Sequence, residues 1–171
     1  MPYDAGASPR HERKQMHTLV YDVETRSTVD LKEVGMVNYA QHPHTEVLLM
    51  RYAVDSRPTV HWHPGLPVPR DFIKAYQGHW TIVAHNLPFE DCILRYILTP
   101  KFKFPPLKLE DGVCTMSLCA ALALPSSLGQ AAKVLHLEHQ KDAAGELVMQ
   151  QTMKPRRPRK GEDKNLIYWY E

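Results

Sequence analysis

The chain has 171 residues, 43% of them apolar and 23% charged, with a formal net charge of +2 before its ten histidines are counted. That length suits one domain with its own core, and so mild a charge neither demands a nucleic-acid partner nor excludes one. No apolar run approaches the ~20 residues that span a bilayer and the N-terminus is polar, which predicts a cytoplasmic protein with no membrane partner.

Residues 1–17 carry Pro2, Gly6, Pro9 and a basic stretch from Arg10 to Lys14 without periodicity, and read as a flexible arm ahead of a domain over 18–171. Thr18 to Arg26 is an apolar, β-branched run that predicts a strand. Its period of two puts Asp22 and Glu24 on one face with Val20, roughly 7 Å apart at about 3.3 Å per residue. Two like charges there are costly unless a cation neutralises them, and hard oxygen ligands select Mg²⁺ or Mn²⁺ over zinc. A strand end entering solvent, with the acids opening a turn at Thr25, Arg26 and Ser27, accounts for the same pattern without a metal.

Asp30 to Tyr39 predicts a short helix or turn interrupted by Gly35. Thr45–Val54 and Thr59–Trp62 are β-rich and separated by Asp55-Ser-Arg-Pro58, so with the first strand they predict an antiparallel meander. After a proline-rich link over 64–69, Asp71 is expected to cap a helix that runs to about Gln77 and closes at Gly78. Trp80–Ala84 reads as a buried parallel strand. The helix after it, with Pro88 in its first turn and Glu90 near its start, continues to Leu98. Residues 99–110 read as a loop, Cys114–Ala123 as an apolar helix ended by Pro125, and Ala131–Leu137 as a helix opened by a serine cap. Cys92, Cys114 and Cys119 lack C-x-x-C spacing and read as buried free thiols. The paired histidines at 42/44 and 61/63 read as surface residues. Beyond Lys141 the periodicity fades into a basic run, 154–160, and an aromatic end, 167–170. That run is either a solvated loop or a phosphate clamp carried by Arg156, Arg157 and Arg159.

Asp22-Val-Glu24 on a strand, with His85-Asn86-x-x-Phe89-Glu90 opening a later helix, resembles the first two motifs of the DEDD superfamily of 3′-5′ exonucleases. Asp30-Leu-Lys-Glu-Val-Gly35, Leu124-Pro-Ser-Ser-Leu128, Lys141-Asp-x-x-Gly145 and Met153-Lys-Pro155 follow in an order that resembles, more narrowly, the exonuclease region of phage-type family A DNA polymerases. The resemblance implies an α/β, ribonuclease H-like fold: a mixed sheet flanked by helices, its first three strands antiparallel and a parallel strand beside the first. It implies that Asp22, Glu24 and Glu90 are catalytic and hold two Mg²⁺ or Mn²⁺ ions, which activate a water and stabilise a leaving 3′ oxygen. Thr25 and Arg26 would contact the terminal nucleotide, Asn86 would fix the chain before Glu90, Phe89 would pack behind it, and His85 would be a phosphate or supporting contact. The implied enzyme is a proofreading-type exonuclease acting on single-stranded 3′ ends of DNA, in the cytoplasm of a phage-infected or prophage-carrying bacterium.

Two departures qualify the match. Glu90 stands where the superfamily has aspartate, with Asp91 expected to be a solvent-facing neighbour. The third motif, a tyrosine or histidine base and a last metal-binding aspartate on a helix, has no counterpart before Glu171, so the fold is expected to be truncated at its C-terminal helix. A DNA polymerase chain or segment would then supply it. The alternative function is a catalytically impaired nucleic-acid-binding or polymerase-interaction module of the same fold.

Overall fold

The computed structural model describes residues 17–108, 110, 112–138 and 143–170. The arm ahead of His17, Lys141 and Asp142 of the Lys141-Asp-x-x-Gly145 segment, and Glu171 lie outside them. Strand β1 (Thr18–Arg26) follows the expected alternation: Leu19, Tyr21, Val23 and Thr25 are buried, while Val20 and Asp22 are exposed and Glu24 half-buried on the opposite face. Strands β2 (Glu46–Val54) and β3 (Val60–Trp62) complete the antiparallel meander, and β4 (Thr81–Ala84) runs parallel to β1 on its other side. Strand β5 (Gly112–Cys114) pairs parallel with β4, giving the order β3-β2-β1-β4-β5. The architecture is therefore the α/β, ribonuclease H-like layout: a mixed, open sheet flanked by helices. His17, at the end of the expected arm, already belongs to this frame, since its carbonyl accepts from the Thr81 amide at 2.9 Å.

Helix α1 (Leu31–Gln41) starts where Asp30 caps the Lys32 amide at 2.9 Å, and breaks at Gly35, whose φ of +76° and ψ of 163° only glycine adopts cheaply. Helix α2 (Arg70–Gly78) differs from expectation at both ends. Pro69, not Asp71, is the N-cap, and the chain leaves through His79 in the left-handed region. Gly78 stays helical; a Cβ there would lie 2.7 Å from Trp80 Nε1, so close packing and not dihedral freedom calls for glycine.

A parallel β4–β5 pair needs a crossover, supplied by α3 (Leu87–Ile93), a π-helical turn over Leu94–Leu98, and α4 (Thr99–Phe102), which occupies part of the expected loop. Three further elements depart from the sequence reading. Cys114 ends a strand instead of opening a helix, and α5 runs over Thr115–Ala121. Helix α6 (Leu128–Val134) starts before Ala131; Ser127 is its N-cap, but its side chain accepts no cap bond. Helix α7 (Ala143–Thr152) stands where periodicity faded, and its Leu147 and Val148 are both 58% exposed, so no apolar stripe marks it. The three thiols are free, with Cys92 buried and the others half-buried.

The core sits between the sheet and α2 and the π-helical segment. Trp62, Phe72 and Phe104 are nearly inaccessible and meet edge to face, with ring centroids 4.9 Å apart for Trp62–Phe104 and 5.1 Å for Phe72–Phe104. Among the described residues no helix is long and apolar enough to cross a membrane.

Candidate functional site

The site forms where β1 and β4 lie side by side and the chain turns away from the end of β4. Between Glu24, opposite Leu49, and Thr25, opposite Val47, the β1–β2 register slips by a residue. Such a bulge twists the strand and re-aims its side chains at the point where the two acids stand. Beyond β4, Asn86 takes φ +108°, a left-handed reversal that asparagine tolerates better than most residues, and its carbonyl accepts from the Phe89 amide at 2.8 Å as α3 begins. That tight entry puts Glu90 in the first turn of α3, buried against β1 at 4% exposure.

Glu90 is the unusual group here. Its carboxyl is pushed up to about 9, first by burial and then by the negative charges of Asp22 and Glu24, against a backbone hydrogen bond from Val23 that favours the charged form. Its Oε2 is buried without a hydrogen-bond partner. Below that value Glu90 is a neutral acid unless a cation joins it.

Asp22, Glu24 and Glu90 line one cleft of about 470 Å³ together with Thr25, His85, Asn86 and Phe89. Their oxygens are the right donors for Mg²⁺ or Mn²⁺. Their placement is not: among the described residues no three His, Cys, Asp or Glu side chains are arranged to hold a metal ion. A two-ion centre, the expectation from sequence, is thus not supported by the side chains as they are placed, with Glu90 buried and Asp22 exposed along the same cleft. Asp91 is half-buried instead of solvent-facing, and pairs with Arg95 at 2.9 Å.

Several expected contacts are engaged elsewhere. The Thr25 hydroxyl bonds Tyr39 Oη at 3.0 Å, in a buried network that continues through Thr45, whose hydroxyl donates to the Tyr39 carbonyl at 2.6 Å and meets Ser27 Oγ at 2.8 Å. This network fixes the cleft floor to α1, where Tyr39 also meets the Phe89 ring at 6.1 Å. The His85 ring spans from Thr115 Oγ1, 3.0 Å from Nδ1, to the Ser126 carbonyl, 2.8 Å from Nε2. Since a carbonyl only accepts, Nε2 carries a proton and donates it to Ser126. His85 therefore ties α5 and the loop before α6 to the cleft.

The arginines fall outside it. Arg26 donates from Nε and Nη2 to Glu46 Oε2 at 2.9 and 2.7 Å, with Trp169 4.5 Å from its guanidinium carbon. Arg156 is clamped by both oxygens of Glu162 at 2.7 and 2.8 Å and lies over Tyr168, while Arg157 and Arg159 are exposed. In their place the cleft receives Asp30, Lys32, Met153 and Lys154, which sequence reasoning did not assign. The signals are faint: an aspartate ahead of a short helix, and a Met-Lys-Pro segment whose lysine opens the basic run 154–160.

No protein-family model matches the chain. Over 149 residues, 85% of its length, it is 34% identical to a DNA polymerase of Bacillus phage SP02, and it spans 22% of that relative. The chain is thus similar to one portion of a phage DNA polymerase and has a ribonuclease H-like architecture.

Proposed function

We propose that this chain is a nucleic-acid-binding module of the ribonuclease H-like fold that receives single-stranded 3′ ends of DNA and works with a phage-type DNA polymerase, in the cytoplasm of a bacterial host. The similarity to the phage polymerase supports the setting. The observation that carries the binding reading over turnover is that the cleft gathers Asp22, Glu24 and Glu90 without bringing three ligands onto one ion. In this reading Asn86 and Phe89 shape the entry to α3, the Thr25–Tyr39 pair holds the floor, and His85 ties α5 to the cleft. Arg157 and Arg159 remain outer phosphate contacts; Arg26 and Arg156 act through the segments they pin.

A second reading, the metal-dependent 3′-5′ exonuclease, is favoured by one feature: the partnerless buried oxygen of Glu90. Asp22, Glu24 and Glu90 would be the ligands. Bound Mg²⁺ or Mn²⁺ would supply Lewis-acid stabilisation of phosphoryl oxygens and a more acidic water.

End-labelled single-stranded DNA separates the two. The binding module retains the oligonucleotide in EDTA and leaves its length unchanged in Mg²⁺ or Mn²⁺. Mg²⁺-dependent shortening from the 3′ end that Asp22→Ala abolishes would install the exonuclease instead, and failure to bind the oligonucleotide would refute both.

A further inference from the structure

The segment after α7 folds back as a strap across the end of β1 and the start of α1. The Ser27 amide donates to the Met153 carbonyl at 3.1 Å, and Lys154 Nζ meets Asp30 Oδ2 at 2.6 Å. The strap is closed on itself: the Arg156 amide donates to the Tyr168 carbonyl at 2.8 Å, and Glu162 holds the Arg156 guanidinium. Trp169 rests on Arg26. All of this carries a cation 124 positions along the chain from Asp30 to the wall of a cleft that contains Asp22, Glu24 and Glu90.

As a clip for the fold, this pair is poor. The Lys154 side chain is 67% exposed, and an ion pair that open adds little stability. As a ligand contact it is well made. An ammonium has three donors, and the Asp30 bond uses one. A phosphate approaching these carboxylates is repelled unless a cation stands beside them, and the cations lining the cleft are Lys32 and Lys154. Arg156, the first arginine of the basic run, has both terminal nitrogens committed to Glu162.

We propose that Lys154 is the cation that contacts a backbone phosphate of the nucleic acid in this cleft. The inference rests on the nucleic-acid reading above. It makes the strap part of the binding site and moves the inner phosphate contact from the arginines to the lysine that precedes them.

The test measures binding of a fluorescent single-stranded oligothymidylate to the full chain in EDTA across a series of KCl concentrations, for the parent, Lys154→Met, Lys154→Arg and Asp30→Asn. Losing one phosphate contact lowers the slope of log affinity against log salt by about 0.7 for a single strand. Lys154→Met should show that drop and bind about twofold to fivefold more weakly at 0.1 M salt. Lys154→Arg should keep the slope. Asp30→Asn deletes the same ion pair but keeps the ammonium, so it should not weaken binding. Equal weakening by Lys154→Met and Asp30→Asn would make the pair a structural clip and overturn the proposal, as would a Lys154→Met slope equal to the parent's. A parent that binds no oligonucleotide would instead overturn the nucleic-acid reading itself, and this inference with it.

Discussion

Replacing Glu90 by glutamine keeps the size and one acceptor of the side chain and removes its charge. The carboxyl stands at about 9 in the fold against an ordinary 4.5, so between these values the folded state holds a proton that the unfolded chain has released. A raised value means that the contribution to stability is whole below 4.5 and is lost as pH rises through 9. At pH 7 the metal-free parent should have lost about 3 kcal/mol relative to its stability at acid pH, roughly 2.5 units at 1.36 kcal/mol each. Glu90→Gln loses none of it. The glutamine amide adds an offset of its own, but one constant with pH, so the readout is the difference between the two proteins as a function of pH. Urea unfolding followed by tryptophan fluorescence in EDTA at pH 5, 7 and 8 measures it: the glutamine variant should gain on the parent by about 4 kcal/mol over that range. Parallel stability curves for the two proteins would show that Glu90 is not held as a neutral acid, and that the cleft is wetter or less negative than its geometry indicates.

Phe72→Ala empties a fully buried position among Tyr21, Tyr52 and Phe104 and should cost about 3–5 kcal/mol in urea unfolding. Gly35→Ala meets no atom within 4 Å but must hold φ +76°, so its cost, about 1–3 kcal/mol by the same assay, is purely conformational. Glu162 is held down to about 2 by Arg156 and the Arg159 amide, so the strap closure is complete above 4.5 and is lost as pH falls through about 2. Amide chemical shifts of residues 156–168 should stay in place at pH 4.5 and move together below it in the parent, whereas Glu162→Gln should show the open strap at neutral pH.

How legible the fold was depended on where its signals were local. β1 and the meander follow from β-rich runs and turn residues, β4 from a short apolar run, and the Gly35 break from single-residue chemistry. Elements without an apolar stripe were not legible. β5 is three residues of partial burial, and α7 exposes its branched residues, so neither has a period to detect. Gly78 illustrates a subtler failure: a glycine near a helix end suggests a left-handed cap, but here the indole of Trp80, two residues on, excludes a side chain and His79 takes the left-handed turn.

The same distinction explains the site. Asp22 and Glu24 could be placed on one strand face, and Glu90 beside them, because motif spacing encodes which elements are neighbours. What spacing does not encode is depth. Asp22 faces solvent while Glu90 is 4% exposed, and no spacing in the sequence foretells that difference. Nor does it encode which cations are spent. Arg26, Arg156, Arg157 and Arg159 look interchangeable as a basic surface, yet Glu46 and Glu162 engage the first two, and the lysine that reaches the cleft does so through a backbone bond from Ser27 to its neighbour Met153. Charge pattern finds a face that attracts phosphate, but the partners already taken by each guanidinium decide which side chain is left to meet it.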